Sequence, residues 1–252
     1  MIEVYNVEVF NFNGAIRGMR NPLNSWHKSD SCLCEKNNND CFVNPSCDCP
    51  KDGDFDENYY CIGVNDLDLM KRLYKGGSEH RKYLRQIFVT MDINAPLYWW
   101  KEFDTYKVGT VANSCSTMHK IHAKEFTLDD FSVDNLMDRE NMLEIYNNPI
   151  MGLERLVWYD LTTLNPMRNL ENTIKTLNFF REYYIKTKDK RYWWQMIQLL
   201  PSSYNQKRTV TMNYENVMTM INQRSNHKLD EWREFVGVLK GLPYVMDIRG
   251  EK

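Results

Sequence analysis

Two short stretches combine hydroxyls, amides and cations densely enough to bind an anion. The first is Gly109-Thr-Val-Ala-Asn-Ser-Cys-Ser-Thr-Met-His119, with Lys107 before it and Lys120 after it. Short donors on an adaptable backbone, flanked by cations, suit a phosphate; an ordinary Ser/Thr loop is the competing reading. The second is Leu200-Pro-Ser-Ser-Tyr-Asn-Gln-Lys-Arg-Thr-Val-Thr-Met-Asn213, which runs into a predicted helix. From Arg191 to Lys228 the cations are Arg191, Lys207, Arg208, Arg224 and Lys228, against the single acid Glu215, a local charge of +4. A basic, hydroxyl-rich turn feeding a helix N-terminus is an anion site by its donors and dipole. A solvated basic surface is the alternative.

Other reactive side chains are less organised. Six of the seven cysteines (Cys32, Cys34, Cys41, Cys47, Cys49 and Cys61) crowd into one window, and Cys115 stands alone. The start of the chain has no basic segment followed by an apolar one, so no secretory signal is expected and the setting reads as cytoplasmic and reducing. Free thiols in a loop are then expected rather than disulfides. The spacings lack the paired C-x2-C knuckles of structural zinc, so unpaired thiols are favoured, and a zinc site that docks a partner is the alternative. His119 and His122 are the one close histidine pair, with no ligand pattern to complete a metal site. The glycine-rich phosphate loops, the H-E-x-x-H motif and the G-x-S-x-G motif are absent.

These stretches must be held by a folded chain. The 252 residues include 11 Phe, 7 Trp and 15 Tyr, ample apolar surface for a core and too much for a solvated chain. No run of about 18 apolar residues exists, so no membrane span is expected. The net charge of −2 disfavours bulk nucleic acid as a partner. That total is a cancellation, because Asp30 to Asp68 holds ten Asp/Glu against two Lys. This acidic, turn-rich segment reads as a surface insertion over residues 30–65, carried by a single domain spanning 1–252.

Alternation over residues 2–10 predicts a first strand. Asp66 is the expected cap of a helix carrying Leu67, Met70, Leu73 and Tyr74, closed by Gly76-Gly77. Residues 86–93 alternate as a strand, which Ala95-Pro96 ends, and an aromatic helix is expected from Leu97 to Lys107. Residues 109–118 read as a polar loop, and 124–165 are mixed. Helices are expected at 170–186, from Arg191 to before Pro201, at 214–223 and at 229–240. Strands early and helices late give an α+β fold without regular βαβ units.

In order and spacing, these segments resemble the flavin-dependent thymidylate synthases over most of the chain. Arg17-Gly-Met-Arg20 is similar to that family's early arginine segment. Leu69 to Gly77, the strand and Ala95-Pro96 resemble its approach to the signature R-H-R-x-x-S-x-N-E-x-S-x-R-Y. Here that place reads Thr105-Tyr-Lys-Val-Gly-Thr-Val-Ala-Asn-Ser-Cys-Ser-Thr-Met-His119, one residue longer. Leu200-Pro201 through Asn213 keeps the family spacing. His227-Lys-Leu-Asp-Glu-Trp-Arg-Glu-Phe235 resembles its C-terminal segment.

The resemblance implies a mixed or antiparallel sheet with helices, and a flavoprotein methyltransferase of nucleotide biosynthesis. Its substrate would be dUMP or a related pyrimidine nucleotide, its cofactor FAD, and its co-substrates methylenetetrahydrofolate and NADPH. The family's assembly would be a homotetramer. Arg224 falls where the family's arginine polarises the uracil ring. Ser116, Lys207, Arg208 and Glu102 fall on the substrate side, and Thr105, Tyr106, Lys107, Asn113 and Thr219 on the flavin side. Arg-His-Arg becomes Thr105-Tyr106-Lys107, leaving one cation, so Trp99 and Trp100 are candidate stacking partners for the flavin ring. The same departure leaves open a nucleotide-binding or interaction protein without redox chemistry.

Overall fold

The computed structural model describes residues 2–33, 60–146 and 164–250. A four-stranded sheet has the order β1-β4-β6-β5, where β1 is Glu3–Phe10, β4 Phe88–Pro96, β5 Thr110–Ser114 and β6 Asn205–Asn213. A two-stranded antiparallel ribbon, β2 Cys32–Leu33 and β3 Tyr60–Cys61, sets Cys32 opposite Cys61. The described helices are α1 Phe12–Arg20, α2 Val64–Lys75, α3 Leu97–Phe103, α4 Thr117–Lys120, α5 Arg139–Tyr146, α6 Pro166–Thr187, α7 Lys190–Leu199, α8 Tyr214–Arg224, α9 Asp230–Lys240 and α10 Val245–Arg249. The fold is α+β, as the sequence predicts. No described helix is long and apolar enough to cross a membrane. Cys34, Cys41, Cys47 and Cys49 lie outside the described residues.

The chain forms two compact units. The first unit comprises Met1–Glu3, Asn94–Asp104 and Ser114–Arg208. Its core is the cluster Ile121, Phe126, Phe131, Leu170, Ile174, Leu177 and Met196. Leu170, Ile174 and Leu177 recur at helical spacing, so α6 presents one apolar stripe to that core. Asn165 caps α6, its side chain accepting from the Arg168 N–H, with Pro166 in the first turn. Asp189 caps α7 in the same way through Arg191.

The second unit comprises Val4–Ile93, Thr105–Asn113 and Thr209–Lys252. Val89, Met91 and Ile93 are fully buried on one face of β4, as alternation requires, and Ile87, just before the strand, is fully buried too. They join a core that includes Val210, Met212, Trp232 and Phe235. Gly63, not Asp66, precedes α2. Asp66 is fully buried and pairs with Arg20 at 2.6 Å, while the Asp30 carboxylate takes the N–H groups of Asn65 (2.9 Å) and Asp66 (3.1 Å). Asp66 also accepts from the hydroxyls of Ser29 and Ser31 at 2.7 and 2.6 Å. A carboxylate that serves an arginine and two hydroxyls is placed inside the fold, and a second aspartate does the capping.

Three expectations about local structure change. The aromatic helix stops at Phe103, because Asp104 closes it with a bond to the Trp100 carbonyl and gives its carboxylate to Arg208. The hydroxyl-rich stretch is a strand followed by a short helix; the Cys115 N–H donates to the Lys207 carbonyl at 2.9 Å. The basic turn before α8 is likewise a strand, β6, with Gln206, Val210 and Met212 buried.

Candidate functional site

In the first unit, β6 and α4 bring the two hydroxyl-rich stretches together. Ser116, Thr117, Lys120, Lys124, Cys115, Tyr204, Asn205, Gln206 and Lys207 are among the residues lining a cleft of about 110 Å³. That is well below the ~300–1,000 Å³ of pockets for whole small ligands, so it suits one anionic group. Gln206 fixes the wall: its amide donates to the Cys115 carbonyl at 2.9 Å and its carbonyl accepts from Arg208 at 3.0 Å. Ser116 caps α4 by accepting the His119 N–H at 3.1 Å, which leaves its hydroxyl proton to give to a ligand.

The cations differ in their commitments. Lys124 is ion-paired with buried Asp130, and that hydrogen bond holds its ammonium above the usual lysine value. The sequence points to Lys120 as a flank of the stretch; Lys124, four residues on and beyond the end of α4, carries no such signal. Arg208 is committed elsewhere in the unit. It bonds Asp104 at 2.7 Å and stacks 4.2 Å from the Trp100 ring centroid. Neither Arg208 nor Glu102, half-buried near the end of α3, lines the cleft.

The second unit holds the remaining expected residues. Arg224 ends α8, and its Nε donates to the Tyr106 hydroxyl at 2.9 Å, which itself donates to Gln223 at 2.9 Å. The guanidinium lies 4.7 Å from the Trp232 ring centroid and 5.5 Å from that of Tyr106. The segment before β5 is pinned to the start of α8. Asn216 donates to the Val108 carbonyl and the Thr110 hydroxyl at 2.7 and 2.8 Å. Gly109 sits there at φ +75°, and a Cβ would meet the Asn213 amide at 2.3 Å, so only glycine fits.

A flavin can be tested against these side chains. Tyr106 is turned to Arg224, and the Thr219 hydroxyl bonds the Glu215 carbonyl at 2.8 Å. Thr105, Lys107 and Asn113 are exposed and carry donor groups. Between them they supply one cation and two neutral donors, less charge than an arginine–histidine–arginine set. Trp99 and Trp100 do not serve it. Both are 0% exposed in the first unit, packed edge to face at 4.9 Å, and Trp100 gives its N–H to the Gln206 carbonyl. The aromatic pair expected to stack on a cofactor is core. Among the described residues no cluster of three or more His, Cys, Asp or Glu could hold a metal ion.

No protein-family profile and no curated protein sequence matches the chain. Solved structures do. The ThyX thymidylate synthase of Helicobacter pylori, crystallised with FAD and dUMP, is similar at TM-score 0.57 and 16% identity, over 99% of this chain and 97% of that one. The UMP/dUMP methylase PolB of Streptomyces cacaoi, bound with 5-Br UMP, is similar at TM-score 0.53 and 11% identity, over 95% and 88%. Identities this low speak to architecture, and at that level the result is plain: the chain has the fold of the flavin-dependent thymidylate synthases.

Proposed function

We propose that the chain transfers a one-carbon unit to C5 of dUMP or a related pyrimidine nucleotide. The observation that carries this reading is the lysine-rich cleft, built where the resemblance expects substrate phosphate, on a fold shared end to end with uracil-nucleotide enzymes. Ser116 donates its hydroxyl, and Lys207 and Lys120 their charge, to the nucleotide phosphate. Arg224 stabilises negative charge on the pyrimidine oxygen as the ring attacks the carbon donor. Glu102 and Arg208 take supporting parts, Arg208 by fixing Gln206 in the cleft wall. Lys107, Thr105 and Asn113 hold FAD, which would supply the hydride that reduces the one-carbon adduct. Methylenetetrahydrofolate and NADPH are the co-substrates this reading requires.

The commitment of Tyr106 and Thr219 to internal bonds favours a second reading, nucleotide binding without redox chemistry. One assay separates the two. Tritium release from [5-³H]dUMP is measured with methylenetetrahydrofolate, NADPH and FAD, beside a thermal-shift titration with dUMP. Release that depends on added FAD supports the enzyme. Stabilisation by dUMP without release supports the binding protein. Neither effect overturns both.

A further inference from the structure

We infer that Tyr106 is a positioning residue for Arg224. The inference rests on the reading of Arg224 as the group that meets the pyrimidine ring. In this chain tyrosine stands where the family signature has histidine, and its hydroxyl is used twice. It accepts from Arg224 Nε and donates to Gln223 Oε1, each at 2.9 Å. A phenol in this role is polarised in one direction, because a donor on one side and an acceptor on the other leave its proton a single place. Nε is the guanidinium nitrogen nearest the aliphatic stem. Holding it fixes rotation about the last carbon–nitrogen bonds, and with it the plane of the fork.

The aromatic rings complete the hold. Trp232 is fully buried and packs 5.9 Å from the Tyr106 ring, tilted by 56°. Arg224 lies against both rings, at 4.7 and 5.5 Å. His227 packs edge-on against Trp232 at 6.1 Å, and its backbone N–H donates to the Arg224 carbonyl at 3.1 Å. Cation–π attraction favours the guanidinium over these rings without choosing its rotation. The tyrosine hydroxyl supplies the choice. A planar, delocalised cation recognises a planar ligand only when its own plane is set, and this is where arginine differs from lysine.

The test uses Tyr106→Phe, which keeps the ring and removes the hydroxyl, alone and combined with Arg224→Gln. Two measurements are made on the whole protein: dUMP affinity by calorimetry, and the arginine Nε–H signal of Arg224 by NMR, assigned through its absence in Arg224→Gln. The expected result is about five- to tenfold weaker dUMP binding in Tyr106→Phe at unchanged melting temperature. Less than a further twofold loss is expected when the change is added to Arg224→Gln. The Nε–H signal should shift and exchange faster in Tyr106→Phe. Equal losses in both backgrounds, or an unmoved Nε–H signal, overturn the positioning role. Wild-type protein that ignores dUMP overturns the reading of Arg224 and with it the purpose of the hold, whatever the Nε–H signal does; the ligand-free NMR result distinguishes that failure from absence of the hold itself.

Discussion

The boxed arginines of the second unit and the cleft lysines of the first hold positive charge in different ways. In the second unit, arginines are fixed: Arg20 is buried against Asp66, and Arg224 is boxed by Tyr106 and Trp232. In the first unit, lysines stand at an open cleft on long stems, Lys124 being 72% exposed at its side chain. A boxed guanidinium reads the orientation of a planar group, whereas ammoniums on long stems read charge and little else. Each kind of placement therefore predicts its own response to substitution.

The sharpest way to break this contrast is in the buried pair. Burial pushes the Asp66 carboxyl up, but hydrogen bonds from Ser31, Ser29 and Arg20 and the Arg20 charge outweigh it, leaving it below the usual carboxylate range. Asp66→Asn leaves Arg20 buried beside a neutral amide and should cost about 3 kcal/mol of stability. A carboxylate held low in the folded state stabilises above its unfolded pKa and loses that contribution as pH falls through the folded one. The difference in melting temperature between wild type and Asp66→Asn should therefore be widest at neutral pH. It should shrink below about pH 4, the unfolded carboxylate value. A gap independent of pH from 7 to 3 would show that Asp66 does not act through its charge.

Arg224→Lys comes next. The charge stays, but the fork, the planar stacking and the Nε bond to Tyr106 are lost. A fall of about 10- to 100-fold in kcat/KM for dUMP is expected, or roughly 1.4–2.7 kcal/mol, with little change in melting temperature. A lysine variant as active as wild type would mean that the second unit, too, needs only charge.

Much of the framework was legible in the sequence, and the failures have physical causes. Strand β4 and helices α6 to α9 were found because their apolar residues keep a strict period, as with Leu170, Ile174 and Leu177. Strand β5 reads from sequence as a polar loop and β6 as a basic turn. β5 is exposed and rich in hydroxyls, and β6 buries Gln206 where alternation expects an apolar residue. A buried amide satisfied by Cys115 and Arg208 cannot be recognised from its neighbours in sequence. The site divides in the same manner. Ser116 and Lys207 were named from two separate stretches, and the cleft joins them. The bond of Tyr106 to Arg224 spans 118 positions, so no local spacing signals it. Trp99 and Trp100 suit a cofactor as well as a core by sequence, because aromatic helices serve both; only burial separates the two uses.

The smallest expected effects lie within the cleft, and they test how loose its charge is. Lys207→Gln removes one ammonium near the expected phosphate and should weaken dUMP binding about fivefold at low salt, less as ionic strength rises. Lys124→Gln should change affinity by less than about twofold, because its ammonium is already given to Asp130. Its cost should appear instead as lower thermal stability, since Asp130 is 7% exposed and would lose its ion pair. Calorimetric titrations of both variants at two salt concentrations give the comparison directly. Equal losses for the two lysines would mean that a bound phosphate draws Lys124 away from Asp130, and that the cleft gathers its charge only when the nucleotide arrives.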